Sequence, residues 1–172
     1  MKNSKGILFE GMIVPHLDLS YNLACWLTRS SADAEGIVQE AYLRAYRYFE
    51  AFTGESGRAW MLTIVRDTCL TWQSRQKRES VMFEERTHTT DSRFANPEQE
   101  MLRNPETASL KGCIASIPVE YREILIMREI EELSYQEIAD VASIPIGTVM
   151  SRLSCARKLL LQTCITVKQE HK

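Results

Sequence analysis

The sequence predicts an all-α protein of two small helical domains joined by an acidic linker, the C-terminal domain being a helix-turn-helix. Three observations predict this. Nowhere does an apolar/polar alternation run between turn residues, as a half-buried strand requires. At both ends of the chain apolar residues recur instead at spacings of three and four, the signature of one helix face. Between them, over residues 80–104, the pattern fails. From Glu84 to Glu106 six residues are Asp or Glu against three Arg, apolar residues are sparse, and Asn96-Pro97 interrupts the chain. Such a stretch buries too little apolar surface to offset the entropy of ordering it. The expected division is therefore a helical unit over 1–79, a linker over 80–104 and a second helical unit over 105–172.

The elements follow in chain order. Residues Ile7–Val14 suggest a helical turn, and Pro15 to Arg29 a helix with Pro at a first-turn position, where its missing N–H costs nothing. Leu19, Leu23, Trp26 and Leu27 supply its apolar face. Ser30 and Asp33 have capping-box spacing, with Asp in place of Glu, ahead of a second helix. That helix carries the stripe Ala34, Ile37, Val38, Ala41, Ala45, Tyr48, Phe49 and Phe52. Two glycines in Thr53-Gly54-Glu55-Ser56-Gly57 mark a loop. A third helix, from Arg58 to about Arg78, is apolar around most of its circumference and ends on Arg75, Lys77 and Arg78. After the linker, Asn104-Pro105 opens a helix with Leu110, Ile114 and Ile117 on one face, and Pro118 opens another with Tyr121, Ile124, Leu125 and Arg128.

The sharpest local signal follows. Ser134-Tyr135-Gln136-Glu137 is a full capping box, its helix running through Ala142. Ser143-Ile144-Pro145 ends it, and a last helix runs from about Gly147 to Thr163. Ala139 is small where two helices would cross, Ser143 occupies the turn, and Val149 turns inward with Ile138 and Leu153. The outward face carries Thr148, Met150, Ser151, Arg152, Ser154 and Cys155 near the helix start, where short side chains reach base edges in a major groove. Arg157, Lys158 and Lys168 lie further along, toward phosphate. By length alone a helical hairpin with a solvated face is common. The capping box and a local balance of five Lys/Arg against one Glu from Thr148 to Lys172 favour DNA contact.

Two stretches resemble one family together. Asp33-Ala34-Glu35-Gly36-Ile37-Val38-Gln39-Glu40-Ala41-Tyr42-Leu43-Arg44-Ala45-Tyr46-Arg47 resembles the polymerase-binding segment of extracytoplasmic-function (ECF) sigma factors. Ile117-Pro118-Val119-Glu120-Tyr121-Arg122-Glu123-Ile124-Leu125, Leu133 to Ala139 and Pro145 to Leu153 are similar to their C-terminal domain. The likeness covers residues 8–78 and 104–163, with both motifs in order. It implies transcription initiation without catalysis, with core RNA polymerase, promoter DNA and an anti-sigma factor as partners.

Residue by residue, the resemblance places a polymerase-clamp contact on Asp33, Glu35, Gln39, Glu40 and Arg44; a solvated helix face is the plain alternative. Gly36 departs from the acidic residue usual there and costs helix stability of about 1 kcal/mol relative to Ala. Phe52, Thr53, Gly54, Glu55, Ser56 and Trp60 fall where relatives hold a flipped base of the −10 element, although Trp60 equally suits the core. Arg58, Arg66, Arg75, Lys77 and Arg78 would follow phosphates. The −35 reader maps to Met150, Ser151, Ser154 and Cys155, with Arg152 nearby. Several of these positions are often Arg in relatives, and neither Met150 nor Cys155 can pair bidentately with guanine. The acidic linker would thread the polymerase RNA exit path.

Bulk properties narrow the classes. At 44% apolar and 26% charged the chain reads as globular, and no apolar run nears the roughly 18–20 residues that cross a bilayer. Its first ten residues are too weakly apolar for a secretory signal, so a cytoplasmic location is expected. Five cysteines, odd in number and without a C-x-x-C pair, read as structural thiols. Three scattered histidines suggest neither metal nor catalysis, and no cofactor is expected. A net charge of −2 is unusual for a free-standing DNA binder but suits one that binds only once polymerase fixes both domains. No phosphate loop or nucleophile-and-base pair points to an enzyme. A sigma-like decoy for an anti-sigma factor and a conventional dimeric helix-turn-helix regulator are the competing readings.

Overall fold

The computed structural model describes residues 2–84 and 105–170; the expected linker lies, from residue 85 on, outside the described residues. Every regular element among the described residues is helical. The eight α-helices among those residues are α1 (Lys2–Met12), α2 (Leu17–Thr28), α3 (Ser31–Tyr48), α4 (Gly57–Glu84), α5 (Pro105–Ala115), α6 (Val119–Glu129), α7 (Tyr135–Ala142) and α8 (Ile146–Glu170). Single 3-10 turns at Val14–His16 and Phe49–Ala51 join α1 to α2 and follow α3. The chain divides into two compact units, Met1–Arg93 and Phe94–Lys172. No described helix is long and apolar enough to cross a membrane.

In the first unit α2, α3 and α4 pack against one another. Leu23, Ala24, Leu27, Ile37, Val38, Ala41, Met61, Leu62 and Val65 fill the space between them, each at most 5% exposed. Each large side chain among them contributes about 1.5–3 kcal/mol by leaving water. Gln73 Nε2 donates to the Leu27 carbonyl at 2.6 Å, supplying a partner for the last turn of α2. Arg29 follows in the left-handed region (φ 58), its N–H returning to the Cys25 carbonyl.

Three boundaries differ from the sequence expectation. The N-terminal turn is an eleven-residue helix, α1. Phe9 anchors it, meeting Tyr46 and Phe49 edge-on at 5.2 and 5.4 Å, and Ile13 behind it is wholly buried. Pro15 sits in a 3-10 turn ahead of α2, not inside it. Helix α4 runs six residues past Arg78, to Glu84, because Glu79-Ser80-Val81-Met82-Phe83-Glu84 holds no Pro or Gly to stop it. Some expected core positions are also more open: Tyr48 is 57% exposed, and Phe52, Trp60 and Trp72 are half-buried.

In the second unit α8 is the spine against which α5, α6 and α7 pack. Pro118 caps α6 and does not begin it; its carbonyl accepts from Tyr121 and Arg122 N–H at 3.0 and 2.9 Å. Arg122 is 1% exposed, and its Nη1 donates to the Ala115 and Ile117 carbonyls, both at 2.9 Å. One guanidinium thus closes the α5–α6 corner. Arg128 does similar work beyond α6: Nη1 donates to the Leu133 carbonyl at 2.9 Å while the guanidinium lies 4.9 Å from the centre of the Tyr135 ring. Leu110, expected on the buried face of α5, is 47% exposed, whereas Ile114 and Ile117 are buried.

Candidate nucleic-acid and polymerase interfaces

The capping pattern ahead of α3 forms by half. Ser30 Oγ accepts from the Asp33 N–H at 3.2 Å, but the Ser30 N–H is taken by Thr28 Oγ1 at 3.3 Å. Thr28 thereby replaces the shorter Asp carboxylate, and Asp33 stays exposed at the positive end of the helix. Glu35, Gln39 and Glu40 are exposed too, and Arg44 is tied to Glu40 by a 3.3 Å ion pair. The opposite side, Ala34, Ile37, Val38, Ala41 and Ala45, is buried. The expected clamp residues therefore fall on the outward side of α3. A Cβ at Gly36 meets nothing within 4 Å, so no packing requires the glycine. Gly36→Ala is expected to stabilise the first unit by about 0.5–1 kcal/mol, read as a raised melting temperature; an unchanged or lower one would contradict this account of α3.

The loop after α3 is built by aromatic rings. Phe49 stacks on Phe52 at 6.2 Å, Phe52 lies 5.0 Å from Trp60, and Phe49 meets Trp60 at 6.4 Å. Trp60 is thus both packed and half-open, between the two roles the sequence allowed. Thr53, Gly54 and Glu55 are exposed at the loop tip. Ser56 is committed to structure: its hydroxyl accepts from the Ala59 N–H at 3.2 Å, capping α4. A Cβ on Gly57 would stand 2.7 Å from the Met12 carbonyl oxygen, so only glycine fits there.

Along α4, Trp60, Asp67, Thr71, Arg75 and Arg78 line up at spacings of seven, four, four and three, which is one helix face. Asp67 on that face was not anticipated. Arg75, Lys77 and Arg78 are exposed, whereas Arg66 keeps only 15% of its side chain in solvent and lies 3.8 Å from Asp67. Arg58 is half-buried at the start of α4. Burial first, and its positive charge second, hold His16 below the ordinary imidazole range.

In the second unit the Ser134–Glu137 capping box is complete, at 3.1 Å from the Glu137 N–H to Ser134 Oγ and 2.9 Å from the Ser134 N–H to Glu137 Oε2. Ser143 takes the left-handed turn (φ 54) expected of it, and the Ile144 N–H returns to the Ala139 carbonyl at 3.1 Å. Ile138, Ala139, Val149 and Leu153 are buried as anticipated. At about 100° per residue, Ser151, Ser154, Cys155 and Lys158 then point away from that core, with Thr148 and Arg152 on one flank and Met150 and Arg157 on the other. Exposure agrees: Met150, Ser151, Ser154, Cys155 and Lys158 are exposed, Thr148 and Arg152 half-buried.

Arg157, expected on phosphate, is exposed and paired with α6 in the free chain. Its Nε donates to Glu129 Oε1 of α6 at 2.8 Å, and the same carboxylate accepts from Nη2. Nothing near Arg157 in the chain points to Glu129 as its partner, since they lie 28 residues apart.

Comparison with known proteins matches this geometry. Residues 12–79 match the sigma-70 region 2 family and residues 107–160 the sigma-70 region 4 family. The chain is 33% identical over 147 residues to the ECF RNA polymerase sigma-E factor of Haemophilus influenzae, covering 78% of this chain and 77% of that one. The chain belongs to the ECF family of RNA polymerase sigma factors. The Escherichia coli K12 ECF sigma-E factor is 32% identical, with 76% and 73% covered. Among solved ECF-like folds, the sigma factor RpoE of Bartonella quintana, in complex with the anti-sigma factor NepR, superposes with a TM-score of 0.72 at 22% identity, covering 95% and 97% of the two chains. CnrH, in complex with the cytosolic domain of CnrY, gives 0.65 at 18% identity, covering 94% and 88%. Region 2 of this ECF sigma factor thus contains α2, α3 and most of α4, and region 4 the helix-turn-helix.

Proposed function

We propose that this ECF sigma factor docks on bacterial core RNA polymerase through the outward face of α3 and directs it to promoters, catalysing nothing itself. The observation that carries the reading is the pairing of both sigma regions on one chain, each with an outward face of suitable chemistry. Asp33, Glu35, Gln39, Glu40 and Arg44 meet the clamp. The loop from Phe52 to Ser56, with Trp60, receives an unstacked base of the −10 element, and the exposed Arg75, Lys77 and Arg78 lie along its phosphates, with the more covered Arg58 and Arg66 on the other side of α4. Thr148, Met150, Ser151, Arg152, Ser154 and Cys155 read the −35 element, with Lys158 on phosphate. The domain division is a promoter-melting unit that runs to the end of α4 at Glu84, a linker from residue 85 to 104 and a −35-reading unit over 105–172. The setting is the cytoplasm, where polymerase works, and an anti-sigma factor of the kind that RpoE binds holds the chain inactive.

Run-off transcription with bacterial core polymerase on genomic promoter fragments tests this. Start sites that require the protein are expected, sharing −10 and −35 sequences. A chain that yields no new start and does not bind polymerase would instead favour the decoy, which Met150 and Cys155 leave open, or the conventional regulator. On such a promoter, Lys158→Ala is expected to weaken binding of the holoenzyme uniformly across sequences and to lower the slope of log K against log salt by about one. A change in sequence preference would place Lys158 on a base instead.

A further inference from the structure

The outward face of α4, between the ring of Trp60 and the cations Arg75 and Arg78, presents a strip of hydrogen-bond acceptors. At about 100° per residue, Asp67, Thr71 and Ser74 fall within about 40° of the line from Trp60 to Arg78. All three are exposed. The Thr71 hydroxyl donates its proton to the Asp67 carbonyl at 2.9 Å, and the Ser74 hydroxyl donates to the Leu70 carbonyl at 3.0 Å. Each therefore turns only oxygen lone pairs outward. The Asp67 carboxylate accepts only, and its pair with Arg66 is long, at 3.8 Å, to a guanidinium largely withdrawn from solvent. Asp67 stands about 10 Å along the helix from Trp60, and Arg75 about 12 Å beyond it. A negative charge at this place opposes the phosphates that Arg75 and Arg78 attract, so its partner must be something other than backbone.

We propose that Asp67, with Thr71 and Ser74 beside it, selects a donor-bearing base in the melted −10 strand, guanine before all others, and rejects thymine. The inference rests on the reading of α4 as the −10 face. Within a DNA chain, deoxyribose and phosphate carry acceptors and no N–H or O–H, so a strip of acceptors is matched only by base edges. Once unpaired, guanine turns two adjacent donors outward, N1–H and the N2 amino group, and one carboxylate accepts both. Cytosine and adenine offer one amino group beside a ring acceptor. Thymine offers N3–H between two carbonyls, whose lone pairs would face those of the protein. One bidentate pair discriminates between bases by about ten-fold or more. Asp67 thus reads a base further along the strand than the one at Trp60.

The test uses holoenzyme assembled from the full-length protein and a promoter library randomised at the −10 positions. Templates retained in heparin-resistant open complexes are sequenced. With wild type, guanine should exceed thymine by about ten-fold or more at one position. Asp67→Asn is nearly isosteric at an exposed site, and its amide pairs with thymine as well, accepting from N3–H and donating to a carbonyl. It should bring that ratio close to one and leave the preferences at the other −10 positions and the melting temperature as they were. A gain for Asp67→Asn that is uniform across sequences would mean that the carboxylate acts only as a charge facing phosphate, and overturns the proposal. So does the same guanine-to-thymine ratio in both proteins. A wild type that retains no template at all removes the −10 reading of α4, and this inference with it.

Discussion

Arg122→Ala is expected to destabilise the second unit by about 3–5 kcal/mol, a large part of the 5–15 kcal/mol typical of a whole domain. The side chain is 1% exposed, so its charge has already left water, and its Nη1 satisfies the carbonyls of Ala115 and Ile117 where the chain turns from α5 to α6. Truncation strands two carbonyls, opens a cavity and removes a cation from a unit that also buries Glu123 and Glu131. Urea unfolding followed by helical circular dichroism, with α8 reported by alkylation of Cys164, would show the loss. Arg122→Lys should recover only part of it, because an ammonium keeps the charge but lacks the guanidinium's planar fork. A midpoint for Arg122→Ala within about 1 kcal/mol of wild type would mean the corner holds without the guanidinium.

The second large effect falls in the first unit. Gly57→Ala puts a methyl group 2.7 Å from the Met12 carbonyl oxygen, closer than van der Waals radii permit. Backbone stands on both sides, so the strain cannot be relieved by rotating a side chain, and the expected cost is about 1–3 kcal/mol. The start of α4 must shift, and Trp60 and the cap at Ser56 shift with it. Transcription should therefore fall by more than the loss of folded protein explains, with opening of the −10 region affected before polymerase binding. A variant as stable and active as wild type would show that α1 yields freely at Met12.

How much of this was legible in the sequence depends on whether the cause was local. The Ser134–Glu137 box, the turn at Ser143 and the inward Val149 and Leu153 were all readable, because capping and helical periodicity act within a few residues. So was the outward face of α3. The α1 helix was not, because its anchor Phe9 is held by rings 37 and 40 positions away, at Tyr46 and Phe49. Arg122 reads as a solvated charge until the α5–α6 corner wraps it. The Arg157–Glu129 pair is not legible along the chain, because residues 28 apart meet only once α6 packs on α8. The exit of α4 is not legible either, because composition changes near residue 80 while nothing in the backbone stops the helix before Glu84.

The separation of roles on α8 bears on how such a protein can diverge. Val149, Leu153 and Ala156 are the residues of its first turns that the core depends on, while Met150, Ser151, Ser154 and Cys155 lie in solvent. Substitutions at such exposed positions usually move stability by no more than about 0.5 kcal/mol. Changes can therefore accumulate on this outward face of α8 without a compensating mutation inside.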